Sequence, residues 1–134
     1  MNLSKELQVL VIEDNLGDFI LFENLFDTDL SNLNLTHAQS FQEARVLLEN
    51  ESFDIIFLDL SLPDARGNAL VSNVVQLADT TPVLVLTGYA DKQFGVEALS
   101  LGVSSYLIKP FNPETLKAKL DEAHLKFKSS VKAS

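Results

Sequence analysis

The sequence lacks cysteine, has few basic residues and contains no long apolar run. None of its 134 residues is a cysteine, which excludes disulfides, a cysteine nucleophile and cysteine-ligated zinc or iron–sulfur sites. Lysine and arginine number 10 against 19 acidic residues, for a net charge of -9, so the bases that bind nucleic-acid phosphates are scarce. Neither a membrane span nor a secretory signal can be recognised. We therefore predict a cytoplasmic protein that contacts neither membrane nor, directly, nucleic acid.

What remains of the composition is typical of one folded domain. The length suits a single domain, and a hydrophobic share of 46% is enough to form a core. Acidic residues concentrate in the first half, since 13 of the 19 lie in residues 1–64. We predict a domain over residues 1–128, followed by a tail or the start of a linker over residues 129–134.

Short apolar runs alternate with segments of helical periodicity along the chain. Strands are predicted over Leu7–Ile12, Leu33–Ala38, Phe53–Leu60, Pro82–Thr87 and Ser104–Ile108. Helices are predicted over Asn15–Leu30, Phe41–Glu49, Ala69–Ala78, Asp91–Leu101 and Pro113–Lys128. This alternation predicts an α/β domain with a doubly wound, five-stranded parallel sheet and helices on both faces.

Charged and hydroxyl side chains stand where the predicted strands end. Glu13 and Asp14 follow the first strand, Asp59 lies at the end of the third, Thr87 ends the fourth, and Lys109 follows the fifth. Ligands of such sheets bind at the carboxyl ends of the strands. These five residues therefore form a candidate site.

The residue types at this edge suit metal-assisted phosphoryl chemistry. Clustered carboxylates repel one another and require a cation, and an oxygen-only set without histidine or cysteine favours Mg²⁺. A metal ion, a lysine and a hydroxyl together would hold a phosphoryl group, and one carboxylate could accept it as an acyl phosphate.

Taken singly, the same residues also have ordinary structural interpretations. Asp14 or Asn15 could cap the first helix, and Thr87 could lie in a turn. Lys109 alone could be a solvated surface charge. The prediction of a site therefore depends on the whole set lying at one edge of the sheet.

Four segments of the chain resemble a known family. VLVIEDN, FLDLSLPDARG, VLTGYAD and YLIKPF, in this order and spacing, closely resemble the receiver domain of two-component response regulators. The resemblance extends from about residue 7 to about residue 128. It implies the flavodoxin-like sheet, with strand order 2-1-3-4-5.

The resemblance implies a role for each acidic residue of the candidate site. Asp59 matches the phosphoacceptor aspartate. Glu13 and Asp14 match the acidic pair that binds Mg²⁺ together with Asp59, and the backbone carbonyl of Ser61 is a further expected ligand. Asp64 is another acid that we expect near this site.

The resemblance also implies a conformational switch. Thr87 matches the hydroxyl that turns toward the phosphoryl group, and Lys109 matches the lysine that pairs with it. Tyr106 matches the aromatic residue that fills the space left by the threonine. The change is expected to alter partner binding through the face formed by the fourth helix, fifth strand and fifth helix.

The function that follows is a phosphorylation-dependent signalling switch. The resemblance implies phosphoryl transfer to Asp59 from a sensor histidine kinase or a histidine phosphotransfer protein. It implies no enzymatic activity beyond self-phosphorylation and autodephosphorylation, and a monomer or weak dimer. Whether the domain stands alone or belongs to a larger regulator or hybrid kinase is left open.

Two other functions share parts of this pattern. A Mg²⁺-dependent aspartyl-phosphate phosphatase or mutase is the main alternative, although such enzymes place a second aspartate where this chain has Ser61. A flavin-binding domain of the same architecture is disfavoured, because no Ser/Thr/Gly-rich phosphate loop follows the first strand.

Two groups of residues outside the strand ends were also considered. Apolar residues off the main stripe of the first helix suggest either a kinase-docking surface or ordinary packing: Ile20, Leu21 and Leu25. His37 and His124 lie in no recognisable site motif, so we place both at the surface without a role.

Overall fold

Strands and helices alternate along the described part of the chain in the computed structural model. It describes residues 7–29, 33–60, 62–65, 67–88, 92–109, 114–119 and 122. The strands are β1 (Leu7–Ile12), β2 (Leu33–Ala38), β3 (Ile55–Asp59), β4 (Val83–Gly88) and β5 (Ser105–Lys109). The helices are α1 (Leu16–Asp29), α2 (Phe41–Asn50), α3 (Gly67–Ala78) and α4 (Lys92–Ser100). Residues 114–119 and 122 are helical as well.

The five strands form one parallel sheet in the order β2-β1-β3-β4-β5. The predicted fold class and strand order are thereby confirmed. From β1 the chain moves outward to β2 and then crosses to β3 on the other side of β1. The winding direction therefore reverses between β1 and β3, and the carboxyl ends of these two strands are the expected position for a site.

Apolar side chains cover both faces of the sheet, which explains why the strand sequences read as nearly continuous hydrophobic runs. Successive residues of β1 alternate between two clusters, with Leu10 and Ile12 in one and Val9 and Val11 in the other. The first cluster is completed by helical residues that include Ala44, Leu70, Val74 and Ala98. The second cluster contains Leu116 and packs against Phe19 of α1. The helices therefore lie on both faces, as predicted.

Helix α4 ends where the sequence pattern places its stop, at Gly102. This glycine has a φ of 109°, a backbone conformation that residues with a Cβ atom rarely adopt. The N–H of Val103 donates to the carbonyl of Ala98, and the N–H of Gly102 donates to the carbonyl of Leu99, each at 3.3 Å. This pair of bonds is a Schellman motif, and it directs the chain into β5.

Some element boundaries differ from the prediction. Helix α3 begins at Gly67, two residues before the predicted start at Ala69. Its first turn includes the turn-forming residues Gly67 and Asn68, and the N–H of Gly67 donates to the carbonyl of Leu60. Lys109 is the last residue of β5 and pairs with Gly88, so it lies within the sheet. The C-terminal tail and most of the predicted last helix lie outside the described residues. Among those described, no helix has the length and apolar character needed to cross a membrane.

Candidate functional site

The acidic residues predicted from the strand ends do come together. Ile12 of β1 pairs with Leu58 of β3, so the next residues along the two strands, Glu13 and Asp59, are neighbours at the edge of the sheet. One carboxylate oxygen from each of Glu13, Asp14 and Asp59 lies within 4.8 Å of the others. The point where the winding reverses is therefore strongly acidic.

Burial differs among these three carboxylates. Glu13 is only 2% exposed, and its N–H donates to the carbonyl of Ala38 at 2.9 Å. Asp59 is partly buried, with 15% of its side chain exposed, whereas Asp14 is exposed. The cluster thus extends from the end of the sheet to solvent, where a ligand can approach.

Lys109 supplies the positive charge at the centre of this cluster. Its Nζ lies 2.7 Å from Oε1 of Glu13, 3.0 Å from Oδ2 of Asp59 and 3.3 Å from Oδ2 of Asp18. Strand β5 is two strands away from β3, and the long lysine side chain bridges that distance. Lys109 therefore belongs to the site and is not an isolated surface charge.

Asp18 is a site residue that was not predicted from the sequence. It lies in the first turn of α1, the helix that follows β1. An acidic residue in that turn is the available signal, because the turn begins at the same edge of the sheet as the strand ends. Because 44% of the Asp18 side chain is exposed, its contact with Lys109 lies at the solvent side of the site.

The proximity of these charges changes the protonation equilibria of the site. Burial, together with a hydrogen bond to Asp59 and its charge, raises the pKa of Glu13 from an ordinary value of 4.5 to about 7, although Lys109 acts in the opposite direction. Burial alone would lower the pKa of Lys109, but the hydrogen bonds and charges of Glu13 and Asp59 raise it. The site thus retains the lysine charge and disfavours full ionisation of its carboxyl groups.

Thr87 and Tyr106 lie in neighbouring strands and on one face of the sheet. Thr87 is 3% exposed, and its Oγ1 donates to the carbonyl of Gly88 at 3.3 Å. Tyr106 pairs with Val85 in the adjacent strand, two residues before Thr87, so the two side chains point the same way. Tyr106 is partly buried against the core cluster on that face. This placement fits the predicted pair, whereas their coupled movement remains a prediction.

Two polar residues near the site are helix caps. The side-chain oxygen of Asn15 accepts a bond from the N–H of Asp18 at 3.0 Å, so Asn15 and not Asp14 caps α1. The Asp64 carboxylate accepts bonds from the N–H groups of Phe41 and Gln42 at 2.9 and 3.0 Å. These bonds lower the pKa of Asp64. The Asp64 carboxylate thus binds the first turn of α2, and its expected position near the metal cluster stays a prediction.

The donor set suits a hard divalent cation. Glu13, Asp14 and Asp59 offer oxygen atoms only, and such ligands favour Mg²⁺ over the softer metals that histidine and cysteine bind. The nearby Lys109 partly compensates the three negative charges. The predicted fourth ligand, the carbonyl of Ser61, lies outside the described residues.

Fold and site together define an α/β domain with an acidic, oxygen-only cluster and a lysine at the reversal of a parallel sheet, where a metal ion could bind. Residues 9–121 match the model of the response regulator receiver domain. The chain belongs to this family, and it is a receiver domain of two-component response regulators. The resemblance inferred from the four sequence segments is thereby confirmed.

Similar proteins include both single-domain and longer regulators. Chemotaxis protein CheY-3 of Vibrio cholerae is 31% identical over 122 residues, which are 90% of this chain and 93% of CheY-3. Transcriptional regulatory protein KdpE of Staphylococcus aureus is 32% identical over 113 residues, 84% of this chain. The chain spans about half of the length of KdpE, with 48% covered.

Solved structures show the same fold. A CheY-like receiver domain protein from Methanospirillum hungatei superimposes with a TM-score of 0.82 at 24% identity, covering 94% of this chain and 99% of that one. Full-length FixJ from B. japonicum gives a TM-score of 0.84 at 25% identity, covering 96% of this chain and 62% of FixJ.

Membership of the family determines the general function. Receiver domains are signalling domains, and response regulators act with histidine kinases. The alternative of an aspartyl-phosphate phosphatase or mutase gains no support from these similarities.

Proposed function

We propose that this domain is switched by phosphorylation of Asp59. The observation that carries the proposal is the position of the Asp59 carboxylate, held by Lys109 at 3.0 Å and within 4.8 Å of oxygens of Glu13 and Asp14. The proposed phosphodonor is a phosphohistidine on a sensor histidine kinase or a histidine phosphotransfer protein. Mg²⁺ would be held by Glu13, Asp14, Asp59 and the carbonyl of Ser61, and it supplies positive charge for the phosphoryl oxygens.

The chemical step is a transfer of one phosphoryl group. A carboxylate oxygen of Asp59 forms a bond to phosphorus as the bond from phosphorus to the donor histidine nitrogen breaks, and the nitrogen keeps that electron pair. Lys109 lies where its ammonium can pair with the oxygens of the transferred group. The donor ring reacts with a proton on its second nitrogen, so it leaves as a neutral imidazole, and the product on this chain is an acyl phosphate on Asp59.

Carboxylates bind the Lys109 ammonium before the phosphoryl group arrives. The ammonium has three carboxylate partners, and each can be exchanged for a phosphoryl oxygen. Asp18 is the partner that lies outside the proposed set of metal ligands. We infer that Asp18 competes with the incoming phosphoryl group for Lys109 and adds negative charge that repels an anionic donor.

The proposed response to phosphorylation runs through Thr87 and Tyr106. The Thr87 hydroxyl donates to the phosphoryl group, and Tyr106 moves into the space that it leaves. Because Tyr106 lies in β5 next to α4, its movement changes the face formed by α4, β5 and the last helix. Such coupling of a local charge to a two-state element is a recognised switching mechanism.

The wider cellular setting is also part of the proposal. We place the domain in the cytoplasm, as a monomer or weak dimer, and assign its output to protein contacts instead of direct nucleic-acid binding. Its own chemistry would be limited to self-phosphorylation and autodephosphorylation. Residues 1–128 would form the functional unit, with residues 129–134 as a tail or linker.

The test is phosphorylation by a small donor. The protein is incubated with acetyl phosphate, with and without Mg²⁺, and its intact mass is measured. We expect the mass of one phosphoryl group to be added only with Mg²⁺, and no addition to Asp59→Asn. A gain that is unchanged in Asp59→Asn would contradict the proposal, as would the absence of any gain in the native protein.

A further inference from the structure

His37 makes a direct contact with the loop that carries the two acids of the site. It lies in β2, paired with Val11 of β1. Its Nε2 lies 2.6 Å from the carbonyl oxygen of Glu13, and because a carbonyl can only accept, Nε2 must carry the proton. The side chain is half-buried, and the sequence pattern did not predict this contact.

The imidazole ring is held in place from a second side. The rings of His37 and Phe19 are stacked, with centroids 3.9 Å apart and an angle of 3° between their planes. Phe19 belongs to α1 and packs against the core cluster on its face of the sheet. His37 therefore links β2, α1 and the loop between β1 and α1.

Both polar groups of the Glu13 main chain are bound by neighbouring residues of β2. The N–H of Glu13 donates to the carbonyl of Ala38 at 2.9 Å, and its carbonyl accepts the bond from His37. That carbonyl belongs to the peptide group that joins Glu13 to Asp14. The bond from His37 thus fixes the orientation of the peptide between two carboxylates of the acidic cluster.

Fixing this peptide has a consequence for metal binding. Rotation of the peptide would let Glu13 and Asp14 move apart and relieve the repulsion among the three clustered carboxylates. The hydrogen bond opposes that rotation and keeps the carboxylates close before a cation arrives. A preformed site binds more tightly because less ordering accompanies binding.

We propose that His37 is a positioning residue for the divalent metal site, acting through the Glu13 carbonyl with its ring held against Phe19. This inference rests on the proposed function, since it requires that Glu13, Asp14 and Asp59 bind Mg²⁺. It adds to that function a residue that touches neither the metal nor the phosphoryl group.

Two substitutions of His37 separate the effect of its hydrogen-bond donor from the effect of its aromatic ring. His37→Phe keeps an aromatic ring for stacking but removes the donor. His37→Gln keeps an N–H donor at similar reach and removes the ring. Mg²⁺ binding to each full-length protein is measured by isothermal titration calorimetry at about pH 8, where an ordinary histidine is neutral.

We expect His37→Phe to raise the Kd for Mg²⁺ by about threefold to tenfold, as follows from the loss of one net hydrogen bond. We expect His37→Gln to remain within about twofold of the native value. Thermal unfolding without Mg²⁺ is recorded for both variants. A purely structural role would alter the unfolding temperature and leave the Kd of the folded protein unchanged.

The outcomes distinguish this inference from the function on which it rests. Native-like Mg²⁺ affinity in His37→Phe, or equally weak binding in both variants, would overturn the role of His37 alone. Absence of Mg²⁺ binding to the native protein would overturn the proposed metal site and this inference with it. If His37→Phe does not fold, His37→Leu, which also removes the donor, is expected to weaken Mg²⁺ binding by a similar factor, and native-like affinity in that variant would overturn the role of His37.

Discussion

Replacing Glu13 by glutamine should stabilise the metal-free protein, and the gain should depend on pH. Glu13 is 2% exposed and faces Asp59, so its ionised form is disfavoured in the folded state. Its pKa of about 7, against 4.5 ordinarily, means that ionisation above pH 7 costs the fold about 3 kcal/mol, at about 1.4 kcal/mol per pH unit. Glutamine resembles the protonated carboxyl in shape and never carries the charge.

The direction of this pH dependence follows from the raised pKa of Glu13. Below pH 4.5 the carboxyl group is protonated in both folded and unfolded chains, so Glu13→Gln should change little. Between pH 4.5 and about 7 the unfolded chain loses the proton first, and the native protein loses stability relative to the variant. Above pH 7 the advantage of the variant should reach a plateau of about 2 to 3 kcal/mol.

The assay is urea unfolding of both proteins from pH 4.5 to 8.5, without divalent metal. Glu23→Gln serves as the matched control, because Glu23 is exposed on α1 and its substitution should stay within about 0.5 kcal/mol. Adding Mg²⁺ at pH 8 should stabilise the native protein and have much less effect on Glu13→Gln. A gain that is independent of pH, or a variant less stable than the native protein at pH 8, would refute the reasoning.

Substitutions at three further residues test the other contacts of these acidic and basic side chains. Lys109→Met removes the cation that the poorly exposed carboxylates of Glu13 and Asp59 share. The free energy of unfolding, measured in urea, should fall by about 1 to 3 kcal/mol, and Mg²⁺ should partly restore it. An unchanged free energy of unfolding would contradict the role assigned to Lys109. Asp18→Asn removes a carboxylate that competes with the phosphoryl group for Lys109. Phosphorylation by acetyl phosphate should become about twofold to fivefold faster, while the free energy of unfolding changes by less than about 1 kcal/mol. A slower reaction would contradict the proposed competition. Asp64→Ala removes the acceptor at the first turn of α2 and should lower the urea midpoint at neutral pH, whereas Asp64→Asn, which keeps one acceptor, should lower it less. Because the pKa of Asp64 is lowered, the difference in urea midpoint between the native protein and Asp64→Ala should vanish only in acid, as pH falls through that pKa. Equal midpoints at neutral pH would show that the Asp64 carboxylate does not stabilise the first turn of α2.

The sheet and the residues at its edge were predictable because a buried parallel strand has a simple signal. Apolar runs such as Leu7–Ile12 end abruptly at charged residues, and parallel topology carries those ends to one edge. Gly102 is a similar case, since its position after a helical segment predicts the stop that the Schellman motif confirms.

What could not be predicted depends on contacts between residues distant in sequence. Asp64 meets α2 across 23 residues, and His37 meets the carbonyl of Glu13 across 24. Neither pairing leaves a periodic pattern, because each depends on where two separate segments meet in the fold. Asp18 is intermediate, since its position in the first turn of the first helix is visible in the sequence but its partner, Lys109, is 91 residues away.

The central claim is that Asp59 accepts the phosphoryl group, and locating that group on the chain tests the claim most directly. After incubation with acetyl phosphate and Mg²⁺, borohydride reduction converts an acyl phosphate to an alcohol, and fragment masses identify the modified residue. We predict a single reduced residue, at Asp59, which is absent when Mg²⁺ is withheld. Modification at Glu13 or Asp14 instead, or none in the presence of Mg²⁺, would contradict the claim.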